Sequence, residues 1–241
     1  MSFLQIFAKT AAAIALLQIT RYLLFAGIAY LALRWASRSW IEKHRVQPIE
    51  LQKSEMIREF KNSLGTLVQY ALILALIFSP WVKPHTQLYN TLAERGVGWL
   101  VGTFVFLIFY HDAYFYWMHR VLHYPAFFRR AHHVHHQSLN PSPWASQSFH
   151  PIEAFFEIAW ILPIVFILPL HKSILLWFSV FSLAYNVYGH LSVEIYPSRW
   201  RTHSILRWLN TSTHHNGHHR YFKGNYGLYF MFWDRLMKTE R

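Results

Sequence analysis

Long apolar stretches dominate this chain and leave it few ways to fold. Ile6 to Trp35 is the longest, interrupted by Lys9 and Arg21, and Thr66 to Val82, Gly98 to Tyr110, Pro151 to Leu170 and Ile174 to Tyr188 follow it. These approach the roughly 20 apolar residues that cross a hydrocarbon core. Inside a bilayer every backbone N–H and C=O must be satisfied within the protein, so such segments form helices. Composition agrees: 54% of the 241 residues are hydrophobic and 14% are charged, below the roughly one quarter usual in soluble domains. The expected fold class is all-α, an integral membrane protein with four or five transmembrane helices.

The basic residues orient these spans. The connection from Ala36 to Leu64 holds Arg38, Lys43, Arg45, Lys53, Arg58 and Lys61, whereas Lys83 to Val97 holds only Lys83 and Arg95 and the turn near His171 only Lys172. After the fifth span come Arg199, Arg201, Arg207, Arg220, Lys223, Arg235, Lys238 and Arg241. Lys and Arg collect on the cytoplasmic side of short loops, which places the N-terminus outside, the Ala36 to Leu64 connection inside and the C-terminus inside. The net charge of +12 lies on one membrane side among Trp, Tyr and Phe, which points to anionic lipid headgroups and not to nucleic acid. A bacterial inner membrane fits better than the endoplasmic reticulum, since the chain ends Lys238-Thr239-Glu240-Arg241 without a dilysine signal. No signal-peptide cleavage pattern follows the first apolar run, which reads as an anchor.

Histidine carries the chemistry. His132-His133-Val134-His135-His136 and His214-His215-Asn216-Gly217-His218-His219 each contain H-x-x-H-H, and His119 and His123 add an i, i+4 pair. On a helix i, i+3 and i+4 share one face, so His132, His135 and His136 can aim at one point, as can His215, His218 and His219. That is too many imidazoles for one tetrahedral ion with four ligands, and the spacing predicts a dinuclear centre. The absence of cysteine removes thiolate ligands, Fe–S clusters and c-type haem attachment. Imidazole suits Zn, Cu, Fe or Ni without choosing among them.

Other residues fall into place around these clusters. If the third span runs on through His123, then Asp112, Tyr116, His119 and His123 form one stripe. Asp112 is then expected to orient a ligating imidazole from another helix, and His111, off the stripe, reads as structural. His133 and His214 point away from their motif faces. Pro141-Ser142-Pro143 makes a loop, and His150 opens a fourth span in which Glu153 and Glu157 need partners, either Arg129, Arg130 or a histidine. Asn186 and His190 sit at i, i+4 at the end of the fifth span, His190 as a ninth ligand and Asn186 as a holder of metal-bound water. Residues 1–97 read as an anchor region with a basic cytoplasmic connection, and residues 98–241 as the catalytic region of one integrated domain.

With these residues in view, the chain resembles the fatty acid hydroxylase superfamily, also called the sterol desaturase family, and its closing run Gly224-Asn225-Tyr226-Gly227-Leu228-Tyr229-Phe230-x-x-Trp233-Asp234-Arg235 looks like bacterial members. The resemblance runs from about Gly98 to Thr239. It implies a membrane enzyme with two iron ions that uses O2 to hydroxylate or desaturate an unactivated C–H position of a lipid, whether fatty acyl, sterol or sphingoid. Ligand roles follow for His119, His123, His132, His135, His136, His215, His218 and His219, and for His190 in its Gly-His-x-x-x-Glu setting. Zinc can occupy the same imidazoles in purified protein. No G-x-G-x-x-G fingerprint is present, so electrons come from a partner such as a cytochrome b5-like protein or a ferredoxin with its reductase. The rival readings are a zinc-dependent membrane hydrolase, which would use H-E-x-x-H, a motif missing here, and a metal transport or binding protein, whose ionisable groups would run through the spans instead of gathering at one end.

Overall fold

The computed structural model describes residues 2–241 and is helical almost throughout. Helix α1 covers Phe3–Trp35, α2 Arg38–His44, α3 Lys53–Ile77 and α4 Gly96–Leu122; the short α5 (Pro125–Phe127) and α6 (His133–His136) flank a π-helical turn over Phe128–His132. Then come α7 (Pro151–Ala159), α8 (Ile161–Ile167), α9 (Lys172–Gly189), α10 (Ser212–Tyr221) and α11 (Phe232–Leu236). Three helices, α1, α3 and α4, are long and apolar enough to cross a membrane. Their outward faces carry Leu16, Leu24, Ile28, Leu72, Leu76, Val101 and Phe109, all exposed, as a lipid-facing surface requires. This is a membrane protein.

The fourth expected span is divided. Pro163 has no N–H to offer the Ala159 carbonyl, and its ring crowds that turn, so the helix breaks at Trp160 into α7 and α8. Tyrosines of α4 satisfy carbonyls beside the break: Tyr114 Oη donates to Phe156 O at 2.7 Å and Tyr110 Oη to Trp160 O at 3.2 Å. The fifth expected span is α9, 18 residues long.

Two ends can be distinguished. At one, the strand pair Leu88–Tyr89 (β1) and Leu170–His171 (β2) runs parallel, and His171 Nε2 meets the Asn90 carbonyl at 2.8 Å, so the two connections poor in Lys and Arg lie together. At the other end the C-termini of α4 and α9, the N-terminal half of α3, and α6 and α10 converge around the histidines. The apolar core between these ends includes Leu107, Phe115, Ile164, Val165, Leu170 and Phe178. A second cluster, Tyr22, Ala26, Leu67, Leu183 and Val187, holds α1 and α3 against α9.

Candidate metal centre

Helix α4 runs unbroken to Leu122 and carries His119 and His123 to the polar end, as the stripe predicts. His132 lies in the π-helical turn, His135 and His136 in α6, His190 caps α9, and His215, His218 and His219 lie in α10. The structure brings all nine imidazoles together in two groups. His119, His123, His132, His136 and His218 form one, His135, His190, His215 and His219 the other, with the donor nitrogens of each group within 4.8 Å of one another. The groups adjoin: the His136 and His219 ring centroids are 4.9 Å apart.

Each H-x-x-H-H motif is therefore split between the groups and does not converge on one point. His132 and His136 go to the five-histidine group and His135 to the other, while His215 and His219 go to the four-histidine group and His218 to the five. The helix explains it. At 3.6 residues per turn, i and i+4 differ by about 40° around the axis, whereas i+3 lies about 60° away on the other side. Each short helix thus straddles both groups and ties them together.

The nitrogen geometry calls for cations. In the larger group the Nε2 atoms of His119 and His132, His132 and His123, His132 and His136, His123 and His218, His136 and His218, and His136 and His123 lie 3.0 to 3.2 Å apart. In the smaller group His190 and His215 are 3.1 Å apart and His215 and His219 3.2 Å. The protons sit on the far nitrogens. His119 Nδ1 donates to Tyr226 O at 2.9 Å, His218 to Gly224 O at 2.7 Å, His219 to Ser138 O at 2.9 Å, His190 to Asn186 O at 2.7 Å and His135 to Ser148 O at 3.3 Å. A carbonyl can only accept, so each of these rings turns a bare Nε2 lone pair inward. Lone pairs facing one another at 3 Å repel unless a positive ion lies between them. Nitrogens about 2.1 Å from one ion lie about 3.0 Å apart at a right angle and about 3.4 Å at the tetrahedral angle. Both groups would thus hold an ion through several imidazole nitrogens at once.

Electrostatics agrees. Desolvation, then repulsion among the rings, holds His132, His135, His136, His215 and His219 well below the ordinary imidazole range. Burial brings His190 and His218 from 6.5 to about 4. All are neutral at pH 7, the form that binds metal.

The supporting residues differ in part from expectation. Asp112 does not orient an imidazole; it accepts from the backbone N–H of Tyr229 at 2.8 Å and Phe230 at 3.2 Å. Placed one turn before Tyr116 on α4, its carboxylate reaches the C-terminal segment first, and it acts on His119 only through the loop that carries the Tyr226 carbonyl. Asp234 grips the same loop through Tyr226 N, Gly227 N and Thr239 Oγ1. Gly224 has φ +78° and a Cβ there would meet Thr239 O at 2.3 Å, so this loop closes only on glycine. Asn186 supplies its backbone carbonyl to His190 and lines a cavity that runs along α9.

The carboxylate that does orient a ring is Glu153, whose Oε1 accepts from His132 Nδ1 at 2.6 Å, with both groups buried. A histidine, not Arg129 or Arg130, is thus its partner. Glu194, four residues after His190, ties the start of α10 in place through Thr213 N and Oγ1 and accepts from Tyr188 Oη. The Gly-His-x-x-x-Glu setting was its only sequence signal. His111 is buried against Tyr229 Oη at 2.9 Å, His133 is exposed, His214 meets Thr211 Oγ1, and His150 caps α7; none of the four joins a group.

Residues 104–239 match the Fatty acid hydroxylase family. The human lathosterol oxidase is 32% identical over 93% of this chain and 74% of its own length. The mouse lathosterol oxidase is 32% identical over 76% of this chain and 60% of its own. The Delta(7)-sterol 5(6)-desaturase of Gibberella zeae is 28% identical over 78% of this chain and 57% of its own. The chain spans less than two thirds of these last two relatives. No solved structure matches it with significance. The family match covers more than half of the chain and contains every residue of both histidine groups, so the chain belongs to the fatty acid hydroxylase family, membrane oxidoreductases that act on lipids.

Proposed function

We propose that the two histidine groups hold two iron ions and that the protein uses O2 and external electrons to hydroxylate or desaturate an unactivated C–H position of a lipid at the cytoplasmic face of the membrane. The observation that carries this reading is the inward convergence of nine imidazoles, with donor nitrogens within 4.8 Å in groups of five and four. An aliphatic C–H bond offers no acidic proton and no electrophilic carbon, so its oxidation needs the redox chemistry and O2 binding that iron supplies. The chain's own part is to keep the rings neutral, fix their tautomers through the Tyr226, Gly224, Ser138, Ser148 and Asn186 carbonyls and Glu153, and exclude water by burial. O2, two electrons and two protons oxidise the lipid, giving an alcohol and one water, or an alkene and two waters.

The relatives' names make a Δ7-sterol the first substrate to test. The residues rich in Lys and Arg lie at the histidine end, which supports both the cytoplasmic placement and docking of an acidic electron carrier, cytochrome b5-like or a ferredoxin with its reductase. The test is iron and zinc content of protein purified in mild detergent from iron-supplemented cells, beside His135→Ala/His218→Ala. The expected result is about two iron atoms per chain, lost in the variant, with lipid products that gain one oxygen or lose two hydrogens. Zinc alone under iron-replete conditions, or metal indifferent to these histidines, refutes the reading and returns the hydrolase and transport alternatives.

A further inference from the structure

Arg21 lies inside α1, a helix long and apolar enough to cross the membrane, and is 8% exposed. Its guanidinium donates to the Ser179 hydroxyl and the Gln18 side-chain oxygen, both neutral. Among the described residues no carboxylate pairs with it, and its buried Nε–H has no acceptor. An arginine at bilayer depth is costly even when its charge is partly solvated, and a buried donor without an acceptor adds to that cost. Packing does not need this group, because an apolar residue would fill the same space at lower cost.

Arg21 lines a cavity of about 270 Å3 that runs along α9 from Lys172 to Asn186. Leu17 and Leu176 line it and are exposed, at 45% and 39%, on the lipid-facing surface. They mark where the cavity opens sideways between α1 and α9. One turn inward from each leucine stand Arg21 and Ser179, so the cationic station sits just behind the mouth. The far end, at His111, Gln147 and Asn186, lies one helical turn from His190. Between the ends the lining is largely apolar, with Leu67, Trp160, Phe178 and Leu183 among its residues, and Glu157, shifted toward its neutral form by burial, and Tyr70 are among its polar members there.

We propose that Arg21, with Gln18 and Ser179, anchors the anionic oxygen headgroup of a long-chain amphiphile, so that a carbon remote from the headgroup reaches the histidines. This rests on the lipid-oxidising reading above and names its substrate class. Two guanidinium N–H groups are taken by Ser179 and Gln18; Nε–H and the remaining donors form the planar fork that a carboxylate fills bidentately while cancelling the charge. A hydroxyl would leave the charge uncompensated. At 1.5 Å per residue, Ser179 and His190 lie about 16 Å apart along α9, which sets the oxidised position well down the aliphatic chain. A Δ7-sterol oxidised at the bond between C5 and C6, a few bonds from its hydroxyl, would not bring its polar group to Arg21.

The test is equilibrium binding of radiolabelled octadecanoic acid, octadecanol and octadecane to the full chain purified with its metal, in wild type, Arg21→Met and Arg21→Lys. The acid is expected to bind wild type more tightly than octadecane by roughly tenfold or more, with that margin lost in Arg21→Met, partly kept in Arg21→Lys, and iron content unchanged. Product mapping is expected to place oxidation at mid-chain or beyond. Equal binding of acid and hydrocarbon by wild type overturns the anchor without recourse to any variant. Octadecanol binding as tightly as the acid overturns the anionic headgroup. A Δ7-sterol oxidised beside its hydroxyl with the same kcat/KM in Arg21→Met overturns the anchor and leaves the lipid-oxidising reading standing. Protein without iron would count against that reading, while the binding margin would still decide the anchor.

Discussion

The five-histidine and four-histidine groups are made from the same motif, yet they face different surroundings. In the larger group His123 is half-buried, against the ring of Phe128, while its four companions are buried; in the smaller group all four rings are buried. The larger group is oriented by the C-terminal loop and by a carboxylate, Glu153. The smaller is oriented by neutral carbonyls only, of Asn186, Ser138 and Ser148, and lies one turn from the inner end of the cavity. The difference assigns directions. If the proposed function holds, metal and electrons are expected to approach through the larger group and lipid through the smaller.

The hardest blow to this comparison is removal of one ring from each side. His132→Ala strips the larger group and His135→Ala the smaller, although the two residues stand one turn apart. Each variant is expected to lose metal from its own group, leaving about half the wild-type content, while product formation falls by more than about a hundredfold in both, beyond the tenfold to hundredfold typical of residues that only support ligands. Metal analysis and product assay on the same preparations check this. If either substitution empties both groups, they are one cooperative unit and the assignment of directions fails.

Glu153→Gln is the next test, because it keeps the shape and replaces only the carboxyl group that meets His132 Nδ1. Metal affinity of the larger group is expected to fall about tenfold to hundredfold, the smaller group holding its ion, as read by titration with a competing chelator. Equal weakening of both would show that Glu153 acts on the whole site.

Acid bears on both groups. His190 and His218 have folded values near 4 against 6.5 ordinarily, so between those limits the unfolded chain binds more protons and stability rises with pH. The contribution is complete above pH 6.5 and is lost as pH falls toward 4, with a slope of about 1.4 kcal/mol per pH unit for each group. Since one residue belongs to each group, both are expected to release metal in the same window, followed by metal analysis after desalting across pH 7 to 4. Release of one group alone would sharpen the contrast beyond what burial predicts.

Much of this was legible in the sequence, and the remainder has physical reasons. The membrane helices follow from apolar length, and His119 with His123 from helical spacing on a span that runs on past the bilayer. The division of each H-x-x-H-H between two groups was not read, because sharing a face was treated as sharing a target, although 40° and 60° in opposite senses already separate i+4 from i+3. The break at Trp160 had a signal in Pro163. Glu153 as the partner of His132, and the Tyr226 and Gly224 carbonyls behind His119 and His218, depend on contacts far apart in sequence. Asp112 was misplaced for the same reason, since the backbone it grips arrives from residues 229 and 230.

The smallest expected effect concerns the one half-exposed ring. Phe222 ends α10 in the left-handed conformation, φ 58°, which costs a residue bearing a Cβ about 1–2 kcal/mol. Its ring lies 5.0 Å from that of His136 and 5.8 Å from that of Phe128, covering the larger group from the side where His123 is reached. A conformation unfavourable for phenylalanine is thus offset by the cover the ring provides. Phe222→Gly removes both strain and cover, so the melting temperature is expected to stay close to wild type while chelator extracts metal from the larger group several-fold faster. The smaller group's extraction rate is expected not to change. Faster loss from both groups alike, or from the smaller alone, would mean that ions leave by another route and that exposure of His123 does not distinguish the two.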